Sequence, residues 1–225
     1  MEEFESVKVH EGIYSVLRKI ASGLCHIGFR VHIEGKENIP KKTPYILSPI
    51  HRSNIDFFLM SSVCSTQMRF MAKDSIFKGD RLSKFFYSMG TFPVTRGKPD
   101  RESFKFAEKC LLAGDVLVLF PEGTRQHGDK IAELFDGAAL LSLRTNAPLI
   151  PIGIAGSEKA MPKGSKFIHP TKIVITIGKP VEIMKMDPGK RIPRSQVTEL
   201  TQRLYDRLQT EYDNARLKLE VLQGK

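Results

Sequence analysis

Cysteine is scarce in this chain and scattered: Cys25, Cys64 and Cys110 are the three in 225 residues. Their number is odd and no CxxC pair occurs, which argues against a disulfide framework, a thioredoxin-type site and a zinc ribbon and fits a reducing compartment. No run of 18 or more apolar residues is present, so no transmembrane helix is expected. The opening stretch, MEEFESVKVHEG, is acidic and lacks the basic-then-apolar order of a secretory signal. Glycine (17) and proline (13) are too few for a collagen-like or low-complexity chain. A GxxxxGKS/T phosphate loop, a GxGxxG turn after a strand and a GxSxG elbow are all missing. Those gaps remove P-loop enzymes, dinucleotide folds and the common serine hydrolases. Histidines do not cluster at ligand spacing, so no metal is expected.

What is abundant is positive charge. Thirty-five Lys and Arg against 25 Asp and Glu leave a formal net charge of +10. An anionic partner follows: nucleic acid, a lipid headgroup surface or a phosphorylated substrate. The excess is uneven, with eight Lys/Arg between Lys159 and Arg191 against Glu182 and Asp187. A hydrophobic fraction of 41% over this length supports one substantial core.

Apolar periodicity orders the chain into alternating elements. Ile13, Val16, Leu17, Ile20, Leu24, Ile27 and Val31 form one helical stripe. It reads either as a core-packed helix or as an amphipathic helix on a membrane surface. Residues 1–32 are therefore set apart from a domain spanning 33–225. Strands are expected at Tyr45–Ser48, Arg69–Ala72, Thr91–Thr95, Asp115–Phe120, Leu149–Ile154 and Lys172–Ile177, the last at an edge because it carries a lysine. Helices are expected at Ile55–Cys64, Leu82–Met89, Arg101–Ala113, Phe135–Thr145 and from 195 to about 220, where Val197, Leu200, Leu204, Leu208, Tyr212, Ala215 and Leu219 keep the period. Such alternation predicts an α/β layered domain with a mixed, mostly parallel sheet flanked by helices.

Four segments hold candidate chemistry. In HRSNID, His51 and Asp56 are five apart, too far round a continuous helix to meet. They can pair when His51 lies in the turn and Asp56 in the first helical turn, with Ser53 or Asn54 as N-cap. A carboxylate on one imidazole nitrogen fixes the tautomer and leaves the other as a base for a hydroxyl. Alone the spacing is weak, since about 0.3 such pairs arise by chance in this composition. FPEGTR follows the apolar run DVLVLF, where open α/β sheets hold their sites. There Gly123 permits a tight turn, Arg125 offers a fork suited to phosphate, and Glu122 either anchors the loop or binds a substrate hydroxyl. GTFPVTRG presents Arg96 as a second anion contact, and APLIPIGI reads as a buried strand or the wall of an acyl groove.

Together HRSNID, GTFPVTRG, FPEGTR and APLIPIGI, in that order, resemble the four signature blocks of the glycerolipid acyltransferases, over about residues 41–178. GSEKAMPKG after the fourth block is similar too. The resemblance implies an αβ acyltransferase domain with an N-terminal helical anchor. It implies transfer of a fatty acyl group from acyl-CoA or acyl carrier protein to the sn-2 hydroxyl of 1-acyl-sn-glycerol-3-phosphate (lysophosphatidic acid), without cofactor or metal. His51 is then the base and Asp56 its partner. Arg96, Glu122, Gly123, Thr124 and Arg125 hold the acceptor, with Lys73 as a further phosphate contact, and Pro148 and Pro151 belong to acyl-donor binding. An anionic membrane surface is the expected partner, on the cytoplasmic face of the cell membrane, and nucleic acid is not. The same chemistry on glycerol-3-phosphate or another lysophospholipid is the nearest alternative; a basic nucleic-acid or silent lipid binder is a more distant one.

Overall fold

The computed structural model describes residues 11–42, 44–77, 79–95, 100–162, 165, 167–183, 186 and 191–224. In chain order they form α1 (Glu11–Phe29), β1 (His32–Glu34), β2 (Tyr45–Pro49), α2 (Asp56–Val63), β3 (Met68–Lys73), α3 (Asp80–Ser88), β4 (Thr91–Val94), α4 (Arg101–Leu112), β5 (Val116–Val118), α5 (Gly137–Thr145), β6 (Leu149–Ala155), α6 (Ser157–Ala160), β7 (Val174–Ile177) and α7 (Arg194–Gln223). The strands make one sheet in the order β1-β7-β6-β2-β5-β3-β4. Every residue of β2, β5 and β6 is buried, as expected of parallel strands covered on both faces.

The sheet is mixed and mostly parallel. β6, β2, β5, β3 and β4 run the same way, and only β6–β7 is antiparallel. The C-terminal ends of five neighbouring strands therefore share one edge. The turns after β2 and β5, which carry HRSNID and FPEGTR, emerge there side by side. Pro93 falls on β4, the outermost strand, where a missing N–H costs no ladder bond on the open side.

One expectation needs correction. The strand at 174–177 is not an edge: β1 pairs with it in parallel, His32 opposite Val174, and covers it. Three residues are too few for a periodic signal, so β1 is invisible to pattern reading. The facing of α1 rules against the core-packed reading of its stripe. Ile13, Val16, Ile20, Leu24 and Ile27 are exposed, while Tyr14, Cys25 and Phe29 are buried. Polar groups turn the helix this way. Arg18 Nη1 donates to the Ser61 carbonyl at 3.0 Å, Ser22 Oγ pairs with Ser62 Oγ at 3.0 Å, and Tyr14 Oη accepts from the Met68 N–H at 3.1 Å. Ser61 lies in the last turn of α2, where carbonyls lack intrahelical donors and the helix dipole favours a cation. No helix among the described residues is long and apolar enough to cross a membrane.

On α7 the expected seam is the observed one, Val197 through Leu219. It packs along β6 and β7, and Gly153 brings it close: a Cβ there would strike the Glu211 carbonyl. The helix backbone thus rests directly on the strand.

Candidate active site

β2 is extended by one bond, Ile50 N–H to the Ile152 carbonyl at 3.0 Å, and the chain then turns. Asp56 opens α2 and reaches back over that turn. Its Oδ2 accepts from His51 Nδ1 at 3.0 Å, from the Arg52 N–H at 2.7 Å and from the Ser53 N–H at 2.7 Å. The residue preceding α2 is Ile55, which makes no side-chain cap. Ser53 and Asn54 are therefore not the N-cap; the carboxylate of the first helical residue organises the junction instead. Two backbone donors on the same oxygen mark the carboxylate as the acceptor, so Nδ1 is the donor in its bond to Asp56. The His51 ring lies 4.3 Å from the Phe120 ring, and its side chain is 13% exposed against 0% for Asp56. The imidazole thus has a fixed inner nitrogen and an accessible side.

The turn after β5 is locked to the same loop. Gly123 N–H bonds the Phe120 carbonyl at 3.0 Å and Thr124 N–H the Glu122 carbonyl at 2.8 Å. Gly123 has φ +67°, a backbone conformation that favours glycine. Glu122 is buried and turned inward. Oε2 accepts the His51 N–H at 2.7 Å, and Oε1 accepts the Ala132 N–H at 3.0 Å and faces Arg52 Nη1 at 3.4 Å. Both oxygens are engaged by the protein, which supports the loop-anchoring reading of this residue. The Gln126 N–H donates to the His51 carbonyl at 2.9 Å. That bond brings Arg125, half-buried, and exposed Thr124 to the same edge as His51.

Lys73 ends β3, next to β5 in the sheet, and is exposed at that same edge. Arg96 lies outside the described residues. Pro148 and Pro151 fall elsewhere. The Pro148 carbonyl bonds Ile46 at the opposite end of β2, and Pro151 stands inside the sheet opposite Ser48. Neither lines the apolar cavity of about 400 Å³ between α1, α2, β3 and α3. Ile55 and Phe57, which flank Asp56, are part of its wall, as are Met68, Phe70, Phe86 and Ile168.

Arg52 and Tyr212 also belong to this neighbourhood. Arg52 is 1% exposed, sends Nη2 to the Lys130 carbonyl at 3.3 Å and stacks 4.6 Å over the Tyr212 ring. Burial pushes the Tyr212 phenol above its ordinary range, against the pull of Arg52. Arg52 is visible in sequence only as part of a block, and Tyr212 only as part of a helical seam; their meeting has no sequence signal. The Cys25 thiol is pushed up to about 11 by burial, which keeps it from thiolate chemistry.

Comparison with known proteins places the chain in a family. The chain is 28% identical over 152 residues to a 1-acyl-sn-glycerol-3-phosphate acyltransferase of Bacillus subtilis, covering 67% of this chain and 73% of that one. To the chloroplastic protein of that name in Arabidopsis thaliana it is 28% identical over 176 residues, covering 76% of this chain. There it spans about half of the relative, 49%. The crystal structure of the 1-acyl-sn-glycerophosphate acyltransferase of Thermotoga maritima superposes with a TM-score of 0.69 at 23% identity, over 90% of this chain and 79% of that one, and shares its fold. The family model described as Acyltransferase matches residues 30–155. That segment runs from the end of α1 through β6, more than half of the chain and both of the interlocked turns, and on that ground the chain belongs to the acyltransferase family.

Proposed function

We propose that the protein transfers a fatty acyl group from a thioester donor, acyl-CoA or acyl carrier protein, to the sn-2 hydroxyl of 1-acyl-sn-glycerol-3-phosphate. The observation that carries the reading is the His51–Asp56 pair, with Nδ1 committed to the carboxylate and Nε2 left as acceptor. The two relatives named for this reaction give the acceptor. The acceptor hydroxyl donates to Nε2, and its proton passes there as the oxygen attacks the thioester carbonyl. Asp56 stabilises the imidazolium. The tetrahedral intermediate then collapses, the carbon–sulfur bond breaks, and the thiolate takes the proton from Nε2. Acyl transfer is direct, with neither a covalent enzyme intermediate nor a cofactor or metal.

Arg125, with Lys73 and Arg96, binds the acceptor phosphate and so places the hydroxyl. The apolar cavity beside Asp56 receives an acyl tail. Attachment is peripheral, on the cytoplasmic face of the cell membrane. The exposed stripe of α1 and the neighbouring exposed Phe167 and Ile168 enter the bilayer interface, and the net charge of +10 favours an anionic leaflet.

The test is labelled acyl transfer from acyl-CoA by the purified protein to lysophosphatidate, glycerol-3-phosphate and lysophosphatidylcholine. Phosphatidate is the expected product. Arg125→Ala should raise the KM for the phosphorylated acceptor roughly 10–100-fold, the worth of a charge-assisted hydrogen bond, and leave the donor KM alone. Equal rises in both would remove the phosphate role.

A further inference from the structure

We infer that Glu122, Arg52 and Tyr212 are positioning residues for His51, and that α7, outside the family-matched segment, is thereby part of the active-site support. The inference rests on the reading of His51 as the base.

Start with the His51 peptide group. Its N–H is held by the Glu122 carboxylate and its C=O by the Gln126 N–H, so the turn after β5 grips both sides of one residue. The Glu122 side chain is 0% exposed. A carboxylate so buried is stabilised by its hydrogen bonds and by a buried counter-charge. Arg52 supplies it, and the guanidinium must itself be stabilised. It has the Lys130 carbonyl, the Glu122 carboxylate and the π face of Tyr212, while its Nε has no hydrogen-bond partner. The ring is thus one of only a few groups that keep the cation in place. At its other end Arg52 donates its backbone N–H to Asp56 Oδ2, the same oxygen that orients His51. A shift of Arg52 therefore moves both ends of the His51–Asp56 arrangement.

Tyr212 is well placed for this task because α7 cannot drift. Its backbone rests on Gly153. It also clamps the loop that follows the FPEGTR turn. Tyr212 Oη donates to the Gly128 carbonyl at 3.1 Å, Gln209 Nε2 to the Asp129 carbonyl at 3.1 Å, and Gln209 Oε1 accepts the Ile131 N–H at 3.0 Å. That loop includes Ala132, whose N–H is the third group on Glu122. The order of dependence is α7, then the 128–132 loop and Arg52, then Glu122, then the His51 peptide.

The experiment compares Tyr212→Leu, which removes the ring, with Tyr212→Phe, which keeps it. Each is checked for folding by circular dichroism, assayed with acyl-CoA and lysophosphatidate, and probed by NMR of the His51 imidazole, assigned with His51→Gln. Tyr212→Leu should lower kcat at least tenfold, leave the acceptor KM within twofold and shift the His51 resonances. Tyr212→Phe should restore kcat to within threefold and the resonances to their wild-type positions. Glu122→Gln, a second and isosteric probe, should lower kcat without raising the acceptor KM. A folded Tyr212→Leu protein with wild-type kcat and unshifted His51 signals overturns the inference. So does a Glu122→Gln protein whose acceptor KM rises while kcat holds, since that is the signature of a substrate ligand. If the resonances shift as stated but His51→Ala retains activity, the base reading falls and the positioning stands.

Discussion

Where the turns after β2 and β5 meet, the ionisable side chains of Arg52, Asp56 and Glu122 are buried; on α1, Ile13, Val16, Ile20, Leu24 and Ile27 are apolar and stand exposed. Each region reverses the usual sorting, for a different reason. Most of the buried polar atoms are matched inside the protein, carboxylate to N–H and guanidinium to carboxylate and ring, while Asp56 Oδ1 and Arg52 Nε have no partner. The α1 stripe has no such match in the described chain. Its polar residues, Arg18 and Ser22, are bonded inward to Ser61 and Ser62 and hold the helix with its apolar side out. A closed polar knot points to chemistry done on a bound molecule; an open apolar stripe beside an apolar cavity points to a second phase from which that molecule comes.

The largest expected effect tests the knot. His51→Ala should lower kcat roughly 10²–10⁴-fold, the usual contribution of a general base, in the acyl-transfer assay. Turnover within threefold of wild type would leave the buried charges without a catalytic purpose and break the contrast.

The two sides of α1 give the next test. Phe29→Ala, on the buried side, should cost about 3–5 kcal/mol in denaturant unfolding, whereas Leu24→Ala, on the exposed side, should change stability by less than about 0.5 kcal/mol. Flotation with anionic vesicles should show the reverse: a Leu24→Glu, Ile27→Glu double variant should lose binding while unfolding like wild type. Unchanged flotation would take the stripe out of the membrane argument.

The smallest effect sharpens what burial adds to a carboxylate knot. Asp100, at the start of α4, accepts from the Thr95 N–H at 2.8 Å, the Ser103 N–H at 3.0 Å and Ser103 Oγ at 2.9 Å, a three-donor pattern like that of Asp56 but half-exposed. Burial raises its pKa, yet the bonds from Thr95 and Ser103 outweigh that and hold the carboxyl below the ordinary range. Its contribution is present above the unfolded value of about 3.9 and fades as pH falls through the lower folded value. Asp100→Ala should cost about 1 kcal/mol at neutral pH, and the gap to wild type should close in acid. A gap independent of pH would mean that the cap does not act through its charge.

Much of this was legible before any coordinates. The runs at 115–120 and 149–154 declare buried strands because their apolar residues are nearly contiguous, and α7 declares its seam because seven residues keep one period. His51 and Asp56 could be paired from spacing alone once a strand–turn–helix junction was placed between them, since that junction is local. Glu122 had two readings, and only the inward turn of its side chain supports one over the other. The stripe of α1 had two readings for a related reason. Apolar periodicity says that a helix has a stripe; the donors and acceptors on the neighbouring helix decide where the stripe points.

The sequence by itself determined the order of the longer elements, the two turns that carry HRSNID and FPEGTR, and the net charge of +10, because these depend on residues within a few positions of one another or on composition. Only the tertiary structure decided that β1 closes over β7, that Arg52 lies between Glu122 and Tyr212, and that α1 presents its apolar side to the outside. Those outcomes join residues 70 to more than 150 positions apart, or set one helix against another, and no local pattern records which distant group will satisfy a buried charge.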